Sequence, residues 1–167
     1  MARPRYLSRL GLGGTSEEST AAGIYGVIVA SAVMAASHAA TATAATVAVL
    51  VTLVIYWGAE RYARIVAERI HSGRRPDRRE LRHQLTTGWA MITASFLPLA
   101  VLDVARLLGV QLSTALLAGL SCSTLLLAIA GWEVGREGKL TTWERLASAA
   151  VAAAFGGVMI VLKMLLK

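Results

Sequence analysis

The spacing of its charges constrains this chain most tightly. No Asp, Glu, Lys or Arg stands between Glu18 and Glu60, between Arg82 and Asp103, or between Arg106 and Glu133. A helix needs roughly 20 residues to cross a hydrocarbon layer about 30 Å thick. A helix at the surface of a soluble domain carries a charged or polar stripe, and these stretches offer no charge to build one. Composition points the same way. The 167 residues are 56% hydrophobic and 16% charged, with a mean hydropathy of +0.59, whereas soluble domains carry about a quarter charged residues. The expectation is an all-α integral membrane bundle.

Residues 1–20 read as a tail, with Arg3, Arg5 and Arg9 followed by a Gly-rich stretch. Thr15 or Ser16 can cap the first helix, with Glu17 and Glu18 in its electropositive first turn. The domain from 21 to 167 then holds five spans, near 21–38, 43–58, 85–108, 112–131 and 143–166. A rival reading, a signal peptide cleaved after Ala36 or Ala39, requires an unusually long charged region containing two Glu. The second span continues as an amphipathic helix to Ile70 and into a basic loop, 59–84 overall, where Gly73 and Pro76 break any helix. Asp77 can cap the helix leading to the third span. Pro98 should kink that span, and Gly109 ends it. A loop through Gly135, Arg136, Gly138 and Lys139 follows Trp132, and Thr141 or Thr142 caps the last span.

The formal charge of +7 and pI near 10.3 would suit a nucleic-acid binder, but the basic residues lie between apolar runs. There they set topology, so no nucleic acid is expected. Fourteen of the seventeen Lys and Arg fall in the tail and in the 58–84 and 132–145 segments; Arg106, Lys163 and Lys167 are the rest. The positive-inside rule then puts the N-terminus in the cytoplasm and the C-terminus outside. Arg74, Arg75, Arg78 and Arg79 can touch anionic lipid headgroups, each worth about 1 kcal/mol near a charged surface. Abundant Ala and Arg fit a bacterium with a GC-rich genome, and so an inner membrane. The single Cys122 excludes an intrachain disulfide and a CxxC metal site.

Between membrane helices, small residues permit close backbone contact. Such ridges occur at Ala22-Gly26-Ala30, Ala115-Gly119-Ser123, Ser148-Ala152-Gly156 and Ala149-Ala153-Gly157. They serve packing within the chain, or one of them, the first by preference, joins a homodimer. Ser121-Cys122-Ser123-Thr124 can hydrogen-bond across helices, and Met34, Met91, Met159 and Met164 fill the core.

Ionisable groups at membrane depth are costly and face the bundle interior or water. Glu60 and Arg64 share a face with Tyr56 near the cytoplasmic end of the second span. They form either an interfacial ion pair or the mouth of a cation or proton pathway. Asp103 and Arg106, three apart, can pair along the third span, and His38 lies at the outer turn. No Walker loop, H-E-x-x-H or G-x-S-x-G is present, so neither an enzyme nor a cofactor is expected.

Local patterns add a resemblance. Tyr25-Gly26-Val27 is similar to the Asp-Gly-Leu that enters the first span of the vacuolar iron transporter (VIT-like) family. Gly58-Ala59-Glu60-Arg61-Tyr62 resembles that family's Gly-Glu-Tyr, and Phe96-Leu97-Pro98-Leu99 its Leu-Leu-Pro-Leu. The run from Gly131 through Gly138, Trp143-Glu144-Arg145 and Gly156-Gly157 resembles its ending. The resemblance covers residues 20–165 and implies five spans with a cytoplasmic N-terminus. It also implies a metal-binding role for Glu60. Tyr25 and Tyr56 stand where the family has Asp and Met, and a neutral phenol is a poor ligand for a divalent cation. The Glu-rich metal-binding helices are replaced by an Arg-rich loop. The resemblance therefore implies a shared fold with iron transport lost or changed. Two functions compete: a small transporter moving a divalent cation or protons past Glu60, with Tyr25, Tyr56 and Asp103 along the route, and a non-transporting scaffold or accessory subunit.

Overall fold

The computed structural model describes residues 17–72, 89–138 and 140–165. They form five α-helices: α1 Glu17–Ala36, α2 Ala42–Ser72, α3 Ala90–Leu107, α4 Leu112–Glu137 and α5 Thr142–Leu165. All five are long and apolar enough to cross a membrane. At about 1.5 Å per residue, the 31 residues of α2 reach about 46 Å, well beyond a hydrocarbon core of about 30 Å. Its last turns, beyond Arg61, are therefore more than such a core needs.

The expected elements occur, with shifted boundaries. α1 closes at Ala36, two residues early, where the Ser37 hydroxyl takes the Ala39 amide at 3.1 Å and turns the chain. Thr41 caps α2 by accepting the Ala44 amide at 3.1 Å. α2 continues unbroken through the expected amphipathic extension. α3 runs on through Pro98 as helix. It ends at Gly109, whose φ of 82° lets the Gly109 and Val110 amides return to Arg106 and Ala105 as in a Schellman cap. The fourth span runs farther than expected. α4 passes Trp132 and Gly135 to Glu137, with an Arg136–Glu133 ion pair at 2.8 Å along its last turns. Gly135 breaks nothing because Arg145 of α5 packs on it. Thr141 opens α5 with a capping box: its amide donates to Glu144 Oε2 at 2.7 Å, and its hydroxyl accepts the Glu144 amide at 3.5 Å. The proposed caps Thr15, Ser16 and Asp77, and the arginines Arg74, Arg75, Arg78 and Arg79, lie outside the described residues.

Pair contacts define an up-and-down bundle. Trp57 meets Trp89 and Thr46 meets Asp103, so α2 and α3 run antiparallel. Gly131 abuts Ser148 while Thr124 abuts Gly156, so α4 and α5 do too. α1 touches all four other helices. In its apolar window 44% of residues are buried, against 6% for α5, the outermost helix. The core between α1, α2, α3 and α4 is built on Ala30, Met34, Val49, Leu53, Met91, Leu102 and Leu120.

Glycine sets the closest approaches. A methyl group on Gly26 would fall on the Met91 backbone of α3, and one on Gly156 on Thr124 of α4. Gly119 faces the Pro98 carbonyl, which its Cβ would meet at 3.2 Å, and the Met34 sulfur at 3.5 Å. The ridges through Gly26, Gly119 and Gly156 therefore serve packing within the chain. Ala22 and Ala30 are buried as well, and α3 packs on that ridge at Gly26. Nothing lies within 4 Å of a Cβ on Gly157.

Candidate functional site

The row Ala45, Val49, Leu53, Trp57, Arg61 advances along α2 in steps of four. Its first three members are fully buried and Trp57 is half-buried, packed against the core. The row carries the next residue inward too: Arg61 is only 3% exposed. Its guanidinium lies 3.8 Å from the carboxylate of Glu60, which is 26% exposed. Arg61 is thus a neighbour of Glu60 that the spacing did not single out, while the Arg64 side chain, and with it the expected Glu60–Arg64 pair, lies outside the described ones. The signal for Arg61 was its register on the apolar row, which an i,i+4 search for opposite charges passes over.

One turn before Arg61, the Trp57 ring meets Trp89 edge-on, with centroids 5.9 Å apart and planes at 85°. Edge-to-face geometry suits the ring quadrupoles and joins the middle of α2 to the start of α3. Among the described residues the buried Trp57 indole N–H has no hydrogen-bond partner. Sequence reasoning placed Trp89 near an interface but gave Trp57 no role.

The other candidates do not gather around Glu60. Tyr56 lies one turn before it on α2 and is 43% exposed, while Tyr25 on α1 is 56% exposed. Asp103 sits where α3 packs on the start of α2, far along the bundle from Glu60. Both its carboxylate oxygens accept the Thr46 hydroxyl at 3.2 Å. The expected Asp103–Arg106 pair does not form: Arg106 instead donates to the Val110 carbonyl at 2.7 Å, closing the end of its own helix. His38 is exposed at the same end, where Lys163 of α5 reaches back to the Ser37 carbonyl at 2.6 Å.

Hydroxyls in the core are satisfied locally. Ser31, Ser95 and Ser123 donate to the carbonyls of Val27, Met91 and Gly119, and Thr124 to Leu120, each four residues earlier. The cross-helix bonds expected of Ser123 and Thr124 are therefore not made. The i−4 carbonyl is always within reach of such a side chain, and once bonded to it, serine packs as a small residue.

Among the described residues no group of three or more His, Cys, Asp or Glu could hold a metal ion. A groove of about 400 Å³ opens between α1, α4 and α5, and none of Glu60, Tyr25, Tyr56 and Asp103 lines it. Fold and site together define a helical membrane protein whose described residues hold five helices able to cross a bilayer and a charged pair, Glu60–Arg61, drawn in past the middle of α2. No family model, curated protein or solved structure matches the chain.

Proposed function

We propose that the chain is a multi-pass protein of a bacterial inner membrane that moves protons, or a cation, past Glu60. Its basic segments would face the cytoplasm, with the arginines of the 59–84 loop on anionic headgroups. The observation that supports transport is the Glu60–Arg61 pair, a carboxylate beside a buried guanidinium within an apolar helix. Ionisable groups held inside membrane helices are expensive, and they mark ion routes and proton relays. Arg61 also narrows the cargo. A divalent ion on Glu60 would sit beside a fixed positive charge, whereas a proton needs no coordination shell. The resemblance to VIT-like transporters supports the same reading, with a proton in place of iron. A homodimer fits it only if the contact moves from the α1 ridge to the exposed face of α5. Proton flux in proteoliposomes tests the reading: Glu60→Gln should abolish it, and unchanged flux would remove transport past Glu60.

A scaffold or accessory subunit is the second reading. It is favoured by the interior, whose fully buried large side chains are apolar apart from three self-bonded serines. Absence of flux from the intact protein, with a membrane partner co-purifying in fixed stoichiometry, would select it.

A further inference from the structure

The groove between α1, α4 and α5 is apolar along its length, with Ile28, Leu127, Gly131, Val151, Ala152 and Phe155 among its walls. Its shape limits what can fill it. The lining extends from Leu127 to Val134 on α4 and from Ala147 to Phe155 on α5, a run of about 10–12 Å at helical rise. That is about two helical turns, and the volume of about 400 Å³ makes it a short apolar slot that suits a stretch of hydrocarbon chain.

Charge at one end says which hydrocarbon. The Arg145 side chain crosses α4 at Gly135, beside the groove residue Val134; a Cβ there would lie 3.0 Å from Arg145 Cγ. Arg145 is also one turn from Ser148 in the lining. Its Nε donates to the Leu140 carbonyl at 2.9 Å, which ties the guanidinium to the α4–α5 connection, beyond the Val134 and Ala147 end of the groove. Among the described residues no carboxylate pairs with its remaining donors. Nearby Arg136 differs, being held by Glu133 at 2.8 Å. An apolar slot that has, one turn beyond its end, a guanidinium paired with no described carboxylate, at the charged end of the bundle, complements a fatty chain ending in a phosphate. Basic pockets between membrane helices bind acidic headgroups in this way.

We propose that this groove holds an acyl chain of an anionic glycerophospholipid, with its headgroup phosphate on Arg145. The site is separate from Glu60 and stands whether or not the protein transports.

Native mass spectrometry of the intact protein, released from nanodiscs of phosphatidylglycerol and phosphatidylcholine in equal parts, tests this. The wild type should retain one phosphatidylglycerol in preference to phosphatidylcholine by about fivefold, the worth of one basic side chain at an anionic headgroup. Val151→Trp adds bulk from an exposed groove position and should remove the retained lipid. Val161→Trp, equally exposed on α5 but outside the groove, should keep it. Arg145→Gln should retain a lipid but lose the preference. Equal retention of the two lipids by the wild type, or full retention by Val151→Trp, would overturn the proposal. So would a wild-type dimer that Val151→Trp dissociates, which would assign the groove to a second copy.

Discussion

Replacing Gly26 with alanine adds a single methyl group at the tightest helix contact. That methyl would meet the Met91 carbonyl oxygen and lie 2.8 Å from the Met91 carbonyl carbon and Cα. Real Cβ atoms do not approach this closely, and the atoms met are backbone of a facing helix, which no rotamer change can move. α1 and α3 must therefore separate, and α1 carries contacts to every other helix. Overpacking a well-filled interior costs about 1–3 kcal/mol. A backbone clash belongs at the upper end, near 3 kcal/mol, or about a hundredfold in the folding equilibrium. Gly157→Ala is the matched control, since nothing lies within 4 Å of the new methyl. It should be neutral, or more stable by up to about 1 kcal/mol from helix propensity. Reversible unfolding in mixed micelles, followed by tryptophan fluorescence, compares the two. If both variants unfolded with the wild type, the α1–α3 approach through Gly26 would be wrong.

Two further substitutions probe the polar contacts. Thr141→Ala removes the capping box at the start of α5 and should cost about 1 kcal/mol, with Thr141→Ser restoring most of it, by thermal unfolding in detergent. Thr46→Val keeps the side-chain shape but takes from Asp103 its one hydrogen-bond donor among the described residues. It should cost about 1–3 kcal/mol. In the double variant with Asp103→Leu the combined loss should fall below the sum of the single losses, because the two side chains share one contact.

The helices were legible because an uncharged run and its cap residues act locally. Thr141, Gly109 and the gap between Glu18 and Glu60 announce their elements without help from the rest of the chain. The end of α4 was not legible, because Gly135 is a helix breaker only where nothing packs on it, and the Arg145 stem that does so arrives from α5. One charged pair failed for a related reason. Spacing offered Arg106 to Asp103, but the partner an acid takes depends on which face of the helix turns inward. Packing buried Arg61 by continuing the Ala45–Val49–Leu53 row, and it set Asp103 against Thr46 of another helix. The small-residue ridges were visible in the sequence, yet which ones bind within the chain rests on helix order and crossing. Gly26, Gly119 and Gly156 are filled by the protein's own neighbours, whereas Gly157 is not.

The central claim is that the apolar outer face of α5 is bathed by lipid tails. Spin labels at Val151, Val158 and Val161, exposed positions of α5, report this directly in liposomes once Cys122 is replaced by serine. Collisions with oxygen, which concentrates in hydrocarbon, should be frequent at all three sites, and collisions with a water-soluble nickel complex rare. Labels quenched by the nickel complex as strongly as a free label in water would contradict the membrane-spanning bundle.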